Sequence, residues 1–134
     1  MEQKLIIEID KAHKEANQAL KNKDFTTYAR AFSNNLRYKQ LNGAIIGKEQ
    51  LTKSIKTYFS RIQEFSSDYE RKEFKVINEA QVVEKLIQHS KVSIRIFIFF
   101  SKKWNIEREG IYEWEKTNNL WKIVRVTIIN ESVA

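Results

Sequence analysis

Few side chains in this 134-residue chain are suited to chemistry, and their scarcity is the first constraint. There is no Cys, and the histidines are His13 and His89. A thiolate zinc site, a Cys nucleophile and a disulfide framework are therefore excluded. A three-His metal site cannot be built within one chain. The aspartates are Asp10, Asp24 and Asp68. Glutamates offer more: Glu107, Glu109, Glu113 and Glu115 fall at alternate positions of one predicted strand, with Arg108, Gly110, Tyr112 and Trp114 on its other face. Acids spaced in this way read as a solvated face, or as partners for Lys and Arg on neighbouring strands. Glu109, neutralised at the mouth of a cavity, can serve as a general acid or base. Arg95 interrupts an apolar strand and calls for an acid partner, because an unpaired buried guanidinium is costly. His13 follows Ala12 at the edge of an apolar helix stripe. It reads as a surface or half-buried helix residue; the other reading is a meeting with His89 beside a carboxylate. His89 itself is expected to mark an irregularity in a long strand.

The elements that must position these residues are legible from periodicity. Leu5, Ile9, Ala12, Ala16 and Leu20 repeat at helical spacing and predict a helix from Glu2 to Lys21. Asp10–Lys14 and Lys11–Glu15 are i,i+4 pairs assigned to its outer face. Asp24 is a candidate N-cap for a short helix in which Phe25, Tyr28, Ala29 and Phe32 share a face, with Ser33-Asn34-Asn35 ending it. Leu36 to Leu41 alternates as a strand, Asn42-Gly43 is a turn, and Ala44-Ile45-Ile46 is a short return strand. Gly47 leads into a third helix, Lys48 to Ile62, with a stripe of Leu51, Ile55, Tyr58 or Phe59, and Ile62.

After Phe65 the period becomes two. Strands are predicted at Ser67–Ile77, Val82–Phe100, Asn105–Lys116 and Leu120–Asn130. Their turns are Asn78-Glu79-Ala80, Ser101-Lys102-Lys103 and Thr117-Asn118-Asn119, and a bulge is expected near Gln88-His89-Ser90. Helices first and strands afterwards imply an α+β fold. In the last strand Trp121, Ile123, Thr127 and Ile129 alternate with Leu120, Val124, Val126 and Ile128, and Ile96 to Phe100 is apolar throughout. A sheet apolar on both faces needs two covers. The helices supply one and a second copy of the chain the other, so a homodimer through the sheet is expected; a flat patch for another partner is the alternative.

The net charge of +7 raises the question of nucleic acid. Phosphate recognition needs clustered charge, and here no like-charge run exceeds two residues, as in Arg71-Lys72 and Lys102-Lys103. The surface reads as solvated and Lys-rich, which argues against a nucleic-acid partner. No stretch is long and apolar enough for a transmembrane helix, and no secretory signal is visible in the opening residues, so a cytoplasmic protein without a membrane partner is expected.

Three segments in this order resemble the nuclear transport factor 2-like superfamily, which includes the SnoaL-like and ketosteroid-isomerase-like proteins. They are Leu20 to Phe32 (loop, Asp, short helix ending in Phe), Ile46-Gly47-Lys48-Glu49-Gln50-Leu51 (a glycine-led helix) and Trp114 to Val124 (a hairpin with a Trp on each strand). The resemblance implies one domain over residues 1–134. It is α+β and cone-shaped, with N-terminal helices packed in a strongly curved antiparallel sheet with a mixed edge. It also implies an apolar cavity for a hydrophobic small molecule, open at one end, and no cofactor. Relatives use such cavities for isomerase, cyclase or dehydratase chemistry, or bind protein partners without catalysis.

Residue by residue, the ketosteroid-isomerase set is missing. The position of its carboxylate base falls on Gln40, that of its oxyanion Tyr on Ala16, and that of its late Asp near Gly110, beside Glu109. An Asp–Arg–Asp arrangement of the epoxide-opening type is not visible among the three aspartates. The resemblance places the pocket among Ala16 on the first helix, Tyr38 and Gln40 on the first strand, Tyr58 on the third helix, and Trp104, Tyr112 and Trp114 on the sheet. The reading is a SnoaL-like small-molecule-binding protein; the alternative is a non-catalytic interaction or scaffold module that uses the sheet face.

Overall fold

The computed structural model describes residues 1–97 and 100–134, and side chains for all of these but 95–97, 100 and 101. Arg95 and the apolar run Ile96 to Phe100 thus lie outside the described side chains. The chain begins with α1 (Glu2–Lys21), α2 (Phe25–Ala29), β1 (Phe32–Lys39), β2 (Ile45–Ile46) and α3 (Lys48–Phe59). Four long strands follow: β3 (Ile62–Asn78), β4 (Gln81–Phe97), β5 (Phe100–Thr117) and β6 (Leu120–Val133). They form one curled sheet in the order β2-β1-β6-β5-β4-β3. Only the β1–β6 pairing is parallel. The expected α+β arrangement, with helices on the concave side of a mixed-edge sheet, is what the chain adopts.

Local chemistry explains the joints. α1 closes with two backbone bonds, Asp24 N–H to the Ala19 carbonyl at 2.8 Å and Lys23 N–H to that of Leu20 at 3.0 Å. This Schellman geometry demands a left-handed residue, and Lys23 supplies it at φ 56°. Asp24 then caps α2, accepting from the Thr27 backbone N–H at 3.2 Å and the Thr27 hydroxyl at 2.6 Å. Gly43 turns at φ 89°, and Asn118 and Asn119 turn the last hairpin at φ 54° and 63°, as a tight type I′ turn requires.

Four boundaries differ from expectation. Phe32 opens β1 rather than ending α2, because Ala31 and Phe32 are already taken into the parallel ladder with Ile123. Ser33-Asn34-Asn35 is therefore strand. α3 stops at Phe59, and Ile62 belongs to β3, where it faces Ile94. Ser101-Lys102-Lys103 is not a turn but part of β5, paired with Arg95 to Ser93. The bulge expected at Gln88-His89-Ser90 is absent; that stretch pairs in regular register with Tyr69, Asp68 and Ser67.

The irregularities lie elsewhere, and they decide which residues face inward. β3 shifts register between Arg71 and Glu73. β6 shifts opposite Glu113/Trp114 and again opposite Glu109/Gly110. Each inserts one residue and reverses the alternation beyond it. As a result Ile123, Val126 and Ile128 all point into the same core, whereas strict alternation separates Ile123 from the other two. Leu120 and Ile129 are exposed. β6 is thus one-sided, contrary to the two-faced reading. Apolar residues on the sheet's outer face are instead Val83 and Ile87 of β4 and Ile111 of β5, set among Lys85, Glu109 and Glu113.

One core cluster joins Leu5 and Ile9 of α1 to Val82, Leu86, Tyr112, Trp114 and Val126 of the sheet. A second joins Leu20, Phe59, Ile62 and Val92. In α3 it is Phe59 that is buried, and Tyr58 is 42% exposed.

Candidate functional site

Two clusters of polar side chains interrupt this core. The first lies between α1 and the sheet. Leu5, Ile9 and His13 follow one another at i,i+4 spacing, so His13 is carried inward on the same stripe and is buried. Glu84, from β4, is 1% exposed. Its Oε2 accepts from His13 Nε2 at 2.6 Å and from Trp114 Nε1 at 2.7 Å. Its Oε1 accepts from Arg71 Nε at 3.0 Å and Nη2 at 2.9 Å. Arg71 Nη2 also donates to Asp10 Oδ1 at 2.8 Å, and the Tyr69 hydroxyl donates to the same oxygen. A carboxylate can only accept, so His13 carries its proton on Nε2. Burial acts upward on the Asp10 carboxyl, but the bonds from Tyr69 and Arg71 outweigh it, and its pKa is held below the ordinary carboxylate value. Burial raises the Tyr69 phenol, and the bond to Asp10 raises it further. The Tyr69 ring lies 4.5 Å from that of His13, and Trp114 meets His13 edge-on at 5.0 Å.

The second cluster lies where β1, β5 and β6 meet. Here a groove of about 420 Å³ is lined by Tyr38, Gln40, Asn42, Arg108, Ile128 and Glu131, with Leu41 at its edge. The β1–β2 hairpin holds its wall: Gln40 N–H donates to the Ala44 carbonyl at 2.9 Å, and Asn42 Oδ1 accepts from Ala44 N–H at 2.9 Å. Arg108 sits on the inner face of β5 opposite Gln88. Its Nε donates to Glu131 Oε2 at 2.7 Å, across the β5–β6 pair. Behind the groove the Tyr112 hydroxyl donates to Gln88 Oε1 at 3.3 Å. Burial pushes the Tyr28, Tyr38 and Tyr112 phenols up, against the pull of nearby Arg108, so all three remain neutral donors at ordinary pH. Burial acts downward on Arg108, and nearby Tyr38 and the bond to Glu131 outweigh it.

The residues picked out from sequence scatter between these clusters. Tyr38 and Gln40 line the groove together. Tyr112 and Trp114 are core residues behind it, and Trp114 serves Glu84. Ala16 is half-buried on α1, and Trp104 faces Val92 with Lys102 Nζ 4.9 Å from its ring; neither lines the groove. Tyr58 points outward from α3. Glu109 is on the outer face opposite Ile87 and does not line the groove. His89 is exposed on that same face, opposite Glu107, so it cannot meet His13.

Sequence reasoning missed Asp10, Tyr69, Arg71 and Glu84. The i,i+4 spacing puts Asp10 on the outer face beside Lys14, but it turns to Arg71. The structure also assembles an acid–Arg–acid arrangement, Asp10–Arg71–Glu84, that a search among aspartates alone could not find. The one available signal was Glu84 itself, an acid at an inward position between Val82 and Leu86.

No protein-family model matches the sequence, and no curated protein matches it. Solved structures do. A scytalone dehydratase-like protein from Novosphingobium aromaticivorans superposes with TM-score 0.80 at 9% identity, over 95% of this chain and 85% of that one. A hexachlorocyclohexane dehydrochlorinase, LinA type 2, gives 0.73 at 8% identity over 98% and 90%. An NTF-2-like protein of unknown function from Shewanella oneidensis gives 0.67 at 14% over 92% and 97%. The chain therefore has the nuclear transport factor 2-like fold, of the cystatin-like α+β kind. Among the described residues no helix is long and apolar enough to cross a membrane.

Proposed function

We propose that the chain, one domain over residues 1–134, is a SnoaL-like protein that binds a largely apolar small molecule in the groove beside Tyr38 and Gln40. The observation that carries this reading is the groove itself: about 420 Å³, within the range of small-ligand sites, lined by the polar Tyr38, Gln40, Asn42, Arg108 and Glu131 with Ile128 and Leu41 as its apolar members. Similar folds include the dehydratase-like and dehydrochlorinase proteins above, which supports ligand chemistry of that general kind. Gln40 occupies the position where the ketosteroid-isomerase pattern needs a base, and an amide cannot abstract a proton. Glu131 is the one carboxylate in the groove lining.

The test is binding of a panel of steroid- and polyketide-like compounds to the wild type and to Gln40→Leu. Affinity that drops in the variant supports the groove, and affinity that does not change removes Gln40 from the site. A homodimer across the outer face belongs to the same proposal. It is supported by the apolar centre at Val83, Ile87 and Ile111 with both charge signs around it, which suits a self-complementary two-fold contact. Light scattering tests it, with Ile87→Lys expected to leave a monomer.

A further inference from the structure

Resting on the groove as the ligand site, we propose that its ligand carries a carboxylate, and that Arg108 receives it by exchanging Glu131 for the ligand's own acid group. The geometry around Arg108 is that of a half-filled carboxylate receptor. A guanidinium offers five N–H donors in a planar fork that matches a carboxylate on two edges. Among the described residues, the one acid bonded to it is Glu131, through Nε to Oε2 at 2.7 Å, with the Tyr38 phenol beside it. Arg108 lines the groove together with Tyr38, Gln40 and Ile128.

The contrast with Arg71 shows that this is not how the fold treats an arginine it means to lock. Arg71 is 19% exposed at its side chain and is held by two acids through three hydrogen bonds. Arg108 is 35% exposed and held by one, itself 33% exposed. Glu131 stands near the end of β6, in a run from Ile129 to Ala134 that is exposed throughout. Turning its carboxylate to water therefore buries nothing unpaired and opens no gap in the core. An incoming carboxylate restores the charge balance that Glu131 leaves, and it can take the fork two-pronged. Tyr38 and Gln40 add neutral donors beside it. The remaining wall, Ile128 and the Leu41 edge, suits an apolar body attached to the acid.

Hydrocinnamate and its neutral amide, hydrocinnamamide, are the probes, followed by calorimetry and by backbone NMR shifts at Gln40 and Ile128. Hydrocinnamate is expected to bind at least about tenfold more tightly than the amide, the usual worth of a charge-assisted, two-pronged bond over a neutral one. Arg108→Met should erase that preference, and Arg108→Lys, which keeps the charge but not the fork, should keep only part of it. Glu131→Gln should strengthen hydrocinnamate by about three- to tenfold by removing the internal competitor, a partly exposed ion pair, and so widen its margin over the amide. Equal affinity for acid and amide in the wild type, or an acid preference that survives Arg108→Met, overturns the carboxylate while the groove stands. If neither probe shifts Gln40 or Ile128, the groove reading itself falls and the carboxylate with it. Thermal melts of each variant identify any loss that comes from unfolding.

Discussion

Arg71 and Arg108 are both inward-facing arginines paired with glutamate across neighbouring strands, and the fold uses them in opposite ways. Around Arg71 everything is closed: Glu84 has four donors on its two oxygens, and Asp10 takes the guanidinium's second contact. Around Arg108, among the described residues, one acid is bonded, at the edge of an open groove. The lesson is that satisfaction, more than charge, separates a structural ion pair from an available one. A buried pair tolerates no missing partner, because the group left behind keeps its desolvation cost. A half-exposed pair can lose a partner to water at little cost.

The sharpest way to break this contrast is Glu84→Ala. It strands His13, Trp114 Nε1 and Arg71 at once and leaves a void. The expected loss is about 3–5 kcal/mol, the range for removing one partner of a buried pair. That is a large share of the roughly 5–15 kcal/mol that hold a domain folded. Chemical denaturation measures it; a loss under about 1 kcal/mol would put the cluster in the same class as a surface pair.

Next in size is a change that moves the groove rather than its charge. Gly110 lies between the clusters, and a Cβ there would stand 3.1 Å from Tyr112 Cε1, 3.2 Å from Ile128 Cδ1 and 3.4 Å from the Thr127 carbonyl oxygen. Gly110→Ala should therefore cost about 1–3 kcal/mol as overpacking and push Ile128 toward the groove. Calorimetric melting reads the first effect, and weaker binding of hydrocinnamate reads the second.

The buried cluster should also show itself in acid. The Asp10 pKa is depressed in the folded state, so its contribution is present above the unfolded value and is lost as pH falls through the folded one. Melting temperature should therefore drop as pH goes below about 4, the ordinary Asp range. Asp10→Asn should flatten that drop. Melting curves collected between neutral and strongly acidic pH give the comparison.

Sequence alone revealed the frame and only half of this contrast. The helical stripe of α1, the Asp24 cap, the hairpin turns and the fold type were all readable, because each depends on local spacing or on one side chain's bond to its own neighbourhood. Tyr38 and Gln40 were readable as pocket residues by their place on the first strand. What could not be read is what depends on register between distant strands. Glu84 meets Arg71 only because β3 slips by one residue between Arg71 and Glu73. Ile123 joins Val126 and Ile128 only because β6 bulges between them. Such insertions leave no signature in alternation; they merely make it fail. The polar residues recruited by them, Asp10 above all, look like surface residues until the partner strand is placed.

The smallest expected effect is the most informative about Arg108. Glu131→Gln removes the one acid bonded to that guanidinium among the described residues, yet its cost in stability should stay within about 0.2–1 kcal/mol, the measured range of exposed pairs. Both members are about one-third exposed, and water replaces the lost carboxylate. At this chain length that corresponds to a fall of about 1–4 °C in melting temperature. Paired with the Glu84→Ala result, it separates the two arginines on one scale. A loss for Glu131→Gln as large as that for Glu84→Ala would mean that Arg108 is as tightly committed to the fold as Arg71, and a guanidinium so committed has nothing left to offer a ligand.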